Sequence, residues 1–62
     1  MTIKELRALT GLSQSKFSEY FGIPFRTVQD WEQGRRKPPD YIPRLLERIW
    51  REEKGERKDV KN

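Results

Sequence analysis

The stretch from Ser13 to Pro39, SQSKFSEYFGIPFRTVQDWEQGRRKPP, constrains the fold of this chain more than any other. Ser13 is a good helix N-cap, because its hydroxyl oxygen can accept from a first-turn N–H that has no partner within the helix. Behind it Phe17 and Phe21 fall four residues apart, on one face of a helix over about Gln14 to Phe21, and Gly22 stops that helix. A second helix begins at once, over about 24–33. In it Val28 and Trp31 are three apart and face inward, which leaves Phe25, Arg26, Gln29 and Asp30 pointing out. Gly34 ends this helix as a C-cap, and the basic run Arg35-Arg36-Lys37 leads to Pro38-Pro39, which rules out helix and fixes an extended exit.

The flanking segments supply the rest of a core. Thr2-Ile3-Lys4-Glu5 has the form of a capping box, so the first helix begins at about Ile3. Its inward residues are expected to be Ile3, Leu6 and Leu9, with Leu12 following and Gly11 closing the helix. Ile23 is placed beneath the turn between the second and third helices. Pro24 occupies the N-cap place of the third helix, where a missing N–H costs nothing but no side-chain cap is offered. Beyond the prolines, Asp40 is expected to cap a fourth helix with Pro43 in its first turn. Tyr41, Ile42, Leu45, Leu46, Ile49 and Trp50 then form a broad apolar stripe that closes the core. The run from Arg51 to Asn62 mixes charges and contains Gly55, so the helix is expected to fray near Lys54. The pattern predicts an all-α, compact four-helix domain over 1–54 and a disordered tail over 55–62.

Sixty-two residues allow one small domain, near the size at which a single core is only marginally sufficient, and leave no room for a catalytic domain. Cysteine and histidine are both absent, which removes disulfides and the two commonest transition-metal ligands, so no metal and no cofactor is expected. The remaining acid and base groups are surface carboxylates on helices, with no glycine-rich phosphate loop, and an enzyme is not expected. The N-terminus lacks the apolar region of a signal peptide and no apolar run reaches membrane-spanning length, which leads to the expectation of a cytoplasmic protein with no membrane partner. The net charge of +4 favours a polyanionic partner only weakly; the placement of the charges says more.

Two helices crossing over a short glycine turn make a helix-turn-helix, whose second helix fits the major groove of DNA. At these residues the chain resembles the XRE family of helix-turn-helix regulators, to which the phage lambda-type repressors and Cro proteins belong. The matching signature runs Gly11-Leu12-Ser13-Gln14, Phe17, Phe21-Gly22-Ile23, Thr27-Val28, Trp31-Glu32-Gln33-Gly34 and the Arg35-Arg36-Lys37-Pro38-Pro39 that follows. The resemblance implies a lambda-repressor-like DNA-binding domain of bacterial or phage origin. Ser18 stands where family members more often have alanine, at the closest approach of the two motif helices. Pro24 stands where they often carry Ser or Thr as a cap and phosphate contact. Many relatives have a fifth helix that builds a dimer interface, and this chain ends too soon for an ordinary one.

Base readers must come from the exposed face near the start of the third helix, and the candidates are Phe25, Arg26, Gln29 and Asp30. The rigid fork of Arg26 suits O6 and N7 of guanine, Phe25 could touch a thymine methyl, and Gln29 could read adenine. By resemblance, Arg26 and Asp30 match positions used for base contacts in the family. The plainer alternative is an Arg26–Asp30 ion pair at i, i+4. Gln14, Gln33 and Arg35 match family contacts to the DNA backbone. Ser13 and Thr27, near the starts of the two motif helices, and Arg36 and Lys37, along the basic run, complete the expected phosphate contacts. The resemblance also pairs Glu32 with Arg7, as a structural tie between the first and third helices. Trp31 and Trp50 are read as core, with Trp50 at the end of the fourth helix a candidate for part of a partner surface.

Two functions are compatible with this pattern. The first is a sequence-specific, double-stranded DNA-binding transcriptional regulator of repressor type. One module reads too few base pairs to find a genomic site, so a homodimer on a palindromic operator, or a protein partner, is expected with it. The alternative is an antitoxin or protein-interaction module of a toxin–antitoxin-like pair, in which Arg26 would be dispensable.

Overall fold

Thr2 and Glu5 decide where the chain first becomes helical. In the computed structural model, which describes residues 1–55, the Thr2 hydroxyl accepts from the Glu5 N–H at 3.1 Å, and the Glu5 carboxylate accepts from the Thr2 N–H at 2.8 Å. This reciprocal cap opens α1, Ile3–Thr10. Ser13 opens α2, Gln14–Phe21, by accepting from the Lys16 N–H at 3.1 Å. Pro24 opens α3, Phe25–Gln33, without any side-chain cap, and α4 runs Tyr41–Glu53. The described residues contain these four helices and no strand. The tail expected over 55–62 lies, apart from Gly55, outside the described residues.

The turn between α2 and α3 is set by Gly22, whose φ of 70° is a left-handed value that side chains resist. Its N–H reaches the Glu19 carbonyl at 3.3 Å, and the Ile23 N–H reaches the Ser18 carbonyl at 2.9 Å, the paired bonds of a Schellman ending. This turn carries Ile23 back against the core. Ser18 is buried in α2, where its hydroxyl donates to the Ser15 carbonyl at 2.8 Å and so leaves no polar group unpaired.

All four helices contribute to one core: Ile3 and Leu6 from α1, Phe17 from α2, Val28 from α3 and Leu46 from α4. Leu12, Phe21, Ile23, Trp31, Ile42 and Ile49 pack around it half-buried. The rings of Phe17 and Phe21 meet at 4.8 Å with a 58° tilt, a favourable offset geometry. Trp31 is therefore a core-facing residue. Trp50 is half-buried as well, edge to face with Tyr20 at 5.3 Å and with the Lys54 ammonium 4.8 Å from its ring centre.

Four residues depart from the expected pattern. Leu9 is 45% exposed, whereas Leu6 is fully buried. Each step of three residues falls about 60° short of a full turn, so Leu9 has drifted about 120° from Ile3 and off the inner face. The same geometry sorts α4. Ile42, Pro43, Ile49 and Trp50 lie within about 60° of the buried Leu46, while Leu45 and Tyr41 stand about 100° and 140° away, and both are exposed. Asp40 makes no side-chain cap. Its backbone is already helical, the Ile42 N–H is taken by the Pro39 carbonyl at 3.0 Å, and Pro43 has no N–H to offer.

Replacing Leu6 by alanine is expected to cost about 2–5 kcal/mol, because it empties a filled core site. The same change at Leu9 is expected to stay within about 0.5 kcal/mol. Urea unfolding of the two variants beside the parent checks the contrast, which reverses if Leu9 is the inward residue.

Candidate nucleic-acid interface

Glu32 lies on α3 one residue after Trp31 and its side chain is only 5% exposed, so its charge requires partners. Arg7 of α1 donates to it twice, from Nε at 2.7 Å and from a terminal nitrogen at 3.1 Å. Gln14, the first residue of α2, donates from its side-chain amide at 3.1 Å. A second terminal nitrogen of Arg7 donates to the Leu12 carbonyl at 3.1 Å, which ties the turn between α1 and α2 to the same group. The hydrogen bonds from Arg7 hold the Glu32 carboxyl below its ordinary pKa. Burial works the other way, and the Gln14 bond adds to the lowering. The same contact raises the pKa of Arg7. Gln14, expected at a phosphate, is thus joined to a carboxylate within the protein, with one amide hydrogen left over.

This knot fixes how α3 lies across α1 and α2, and so which of its residues face away. Phe25 and Arg26 are exposed at its N-terminal end. Arg26 forms no ion pair among the described residues, so the Arg26–Asp30 pair weighed as the plainer reading is not formed. Thr27 and Gln29 are half-buried beside them, and Gln33 is exposed at the far end. With Pro24 in the cap position, the N–H groups of the first turn receive no side-chain acceptor, which leaves positive helix-end character beside Arg26.

Asp30 behaves differently from its outward neighbours. Its side chain is 15% exposed and lies 3.7 Å from a terminal nitrogen of Arg35 and 3.9 Å from Nε of Arg36. Its carbonyl oxygen accepts the Arg35 N–H at 2.9 Å and the Arg36 N–H at 3.3 Å, past a Gly34 whose φ is 82°. The basic run therefore folds back over the last turn of α3. Gly34 marks the helix end in the sequence, but where the chain lands after it turns at this left-handed glycine does not show in the residue pattern. Arg35, Arg36 and Lys37 remain exposed. Ser13 is engaged as the α2 cap. Sequence reasoning also missed the Tyr20 hydroxyl, which donates to the Glu53 carboxylate at 2.8 Å and joins α2 to α4.

The site thus joins an exposed N-terminal face of α3 to a folded-back basic segment, on three helices locked at one carboxylate. A family model described as Helix-turn-helix matches residues 3–47, most of the chain. The chain belongs to the XRE-type helix-turn-helix family. This is a family of DNA-binding transcription regulators. The helix-turn-helix chain is also similar to the uncharacterized HTH-type transcriptional regulator YgzD of Bacillus subtilis (strain 168). The two are 46% identical over 44 residues, which cover 71% of this chain and 59% of that protein. The chain therefore spans well under two thirds of that relative's length. No solved structure matched. Among the described residues no helix is long and apolar enough to cross a membrane.

Because the Glu32 pKa is lower in the folded than in the unfolded state, its contribution to stability is complete above the unfolded value of about 4.3 and is lost as pH falls through the folded value. Glu32→Gln is expected to lower stability by about 1–3 kcal/mol at pH 7. It is also expected to flatten the loss of stability below about pH 5. Denaturant titrations of both proteins from pH 7 to pH 3 test this; parallel curves would remove Glu32 as the source.

Proposed function

We propose that this chain is a sequence-specific, double-stranded DNA-binding transcription regulator that acts as a repressor, with α3 entering the major groove by its N-terminal end. The observation that carries the reading is Arg26: an exposed guanidinium without an ionic partner among the described residues, on the outward face of a helix whose orientation Glu32 fixes. In this reading Arg26 donates to O6 and N7 of a guanine and Phe25 lies against a thymine methyl, with Gln29 reading an adjacent base. Ser13, Gln14, Thr27 and Gln33 approach the phosphates from the helix ends. Arg35, Arg36 and Lys37 approach them from the loop. The family match and the name of the Bacillus subtilis relative support DNA as the partner.

A single module covers too few base pairs to select one genomic site, so two copies on a palindromic operator belong to this reading. Tyr41 and Leu45 offer a surface for the second copy, since they stand one helical turn apart on α4 and both are exposed. A toxin-like protein partner has less support. Trp50, the residue that pointed to one, already has Tyr20 and Lys54 against its ring.

Selection of bound sequences from a random double-stranded pool at near-physiological salt, on wild type and Arg26→Ala, tests the base-reading role. Wild type is expected to enrich a palindrome, and the variant to lose about 1–3 kcal/mol of discrimination at one guanine. Recovery of no motif would remove sequence-specific binding from the isolated chain. Leu45→Glu is expected to leave a half-site's preference intact while abolishing paired binding, read as the mass of the complex on a full palindrome.

A further inference from the structure

Asp30 is an acid in the last turn of a helix, where the carbonyl end of the dipole disfavours negative charge, and that turn carries no basic residue to balance it. Its partners come instead from beyond the helix, Arg35 at 3.7 Å and Arg36 at 3.9 Å. The carboxylate is mostly covered while both arginine side chains are mostly exposed. The Asp30 carbonyl holds the backbone of the same two residues, so one residue anchors both the path and the charges of the basic segment. A carboxylate held in this way is poorly placed to accept from cytosine N4. It is well placed to decide how freely two guanidinium groups reach other anions.

We propose that Asp30 reads no base and acts as a positioning residue through Arg35 and Arg36. Its carboxylate holds both guanidinium groups in the free protein, and DNA phosphates must displace it. Exposed ion pairs at these distances are weak, and phosphate oxygens are strong acceptors for arginine, so the exchange proceeds but at a cost. Asp30 therefore limits how tightly the segment grips any duplex, while the choice of sequence stays with Arg26 and its neighbours. This inference rests on the DNA-binding reading above.

The test compares the full chain with Asp30→Asn, Arg35→Gln/Arg36→Gln and the triple variant. Each is titrated with the duplex enriched by selection and with an unrelated duplex of equal length, between 50 and 200 mM salt. Asp30→Asn keeps the shape and the backbone bonds, and thermal melts establish that each variant folds. It is expected to bind both duplexes more tightly by the same factor, with a gain that shrinks about threefold across the salt range, as one more unit of net positive charge beside the phosphates requires. The gain is expected to vanish in the Arg35→Gln/Arg36→Gln background. In DNA-free protein the guanidinium NMR signals of Arg35 and Arg36 are expected to move on Asp30→Asn. A changed preference at one base pair, a gain that survives loss of both arginines, no gain, or unmoved arginine signals would each overturn the proposal. Wild-type protein that binds neither duplex would instead overturn the DNA-binding reading, and the proposal with it.

Discussion

Glu32 accepts from Arg7 of α1 through two nitrogens and from Gln14 of α2 through one, and through this carboxylate three helices hold their relative positions. The arrangement is demanding, because a nearly buried charge is stable only while its acceptor sites are filled. It joins residues 25 positions apart in the chain, and no local preference could supply that tie. Among the described residues the apolar core beneath it contains five buried hydrophobic side chains, few for holding helix orientation by shape alone. Directional bonds supply what the core lacks.

With α3 so fixed, its nine residues divide the work by face. Val28 and Trp31 look inward, Glu32 looks toward α1 and α2, Phe25 and Arg26 look outward, and Asp30 turns toward the segment that follows. The charges follow the same division. The acids of α3 are both occupied inside the protein, Glu32 by Arg7 and Asp30 by Arg35 and Arg36, whereas Arg26 meets no such partner among the described residues. Although the helix carries two acids and one arginine, its outward tip is positive.

What could be read from the sequence depended on how far the relevant interaction reaches. The Thr2–Glu5 box, the Ser13 cap and the glycine endings of α1, α2 and α3 are each set within a few residues, and the helices fall within a residue or so of the expected bounds. Leu9, Leu45 and Tyr41 are apolar by type but lie off the inner face by angle; on so short a helix as α1, a drift of about 60° per step decides the matter. Asp40 has a good capping residue's chemistry, yet its backbone angles and the proline three residues on leave it no N–H to serve. The Asp30 contacts were hidden for a different reason. They exist only once Gly34 has reversed the chain, and a pattern of residue types does not show where a reversed segment lands.

The connections between the helices are very short: residues 11–13 join α1 to α2, and residues 22–24 join α2 to α3. Closing such loops carries little entropy loss, and the partners they bring together are near neighbours in the chain. Helical topologies dominated by local contacts fold in about microseconds to milliseconds. In this chain α2 and α3 can dock on each other before α4 arrives over the longer proline-containing segment 34–40. The helix pair of the candidate interface is thus joined by a connection as short as any between the described helices. A chain emerging from the ribosome exposes this pair ahead of α4, so the two helices can meet while α4 is still to emerge.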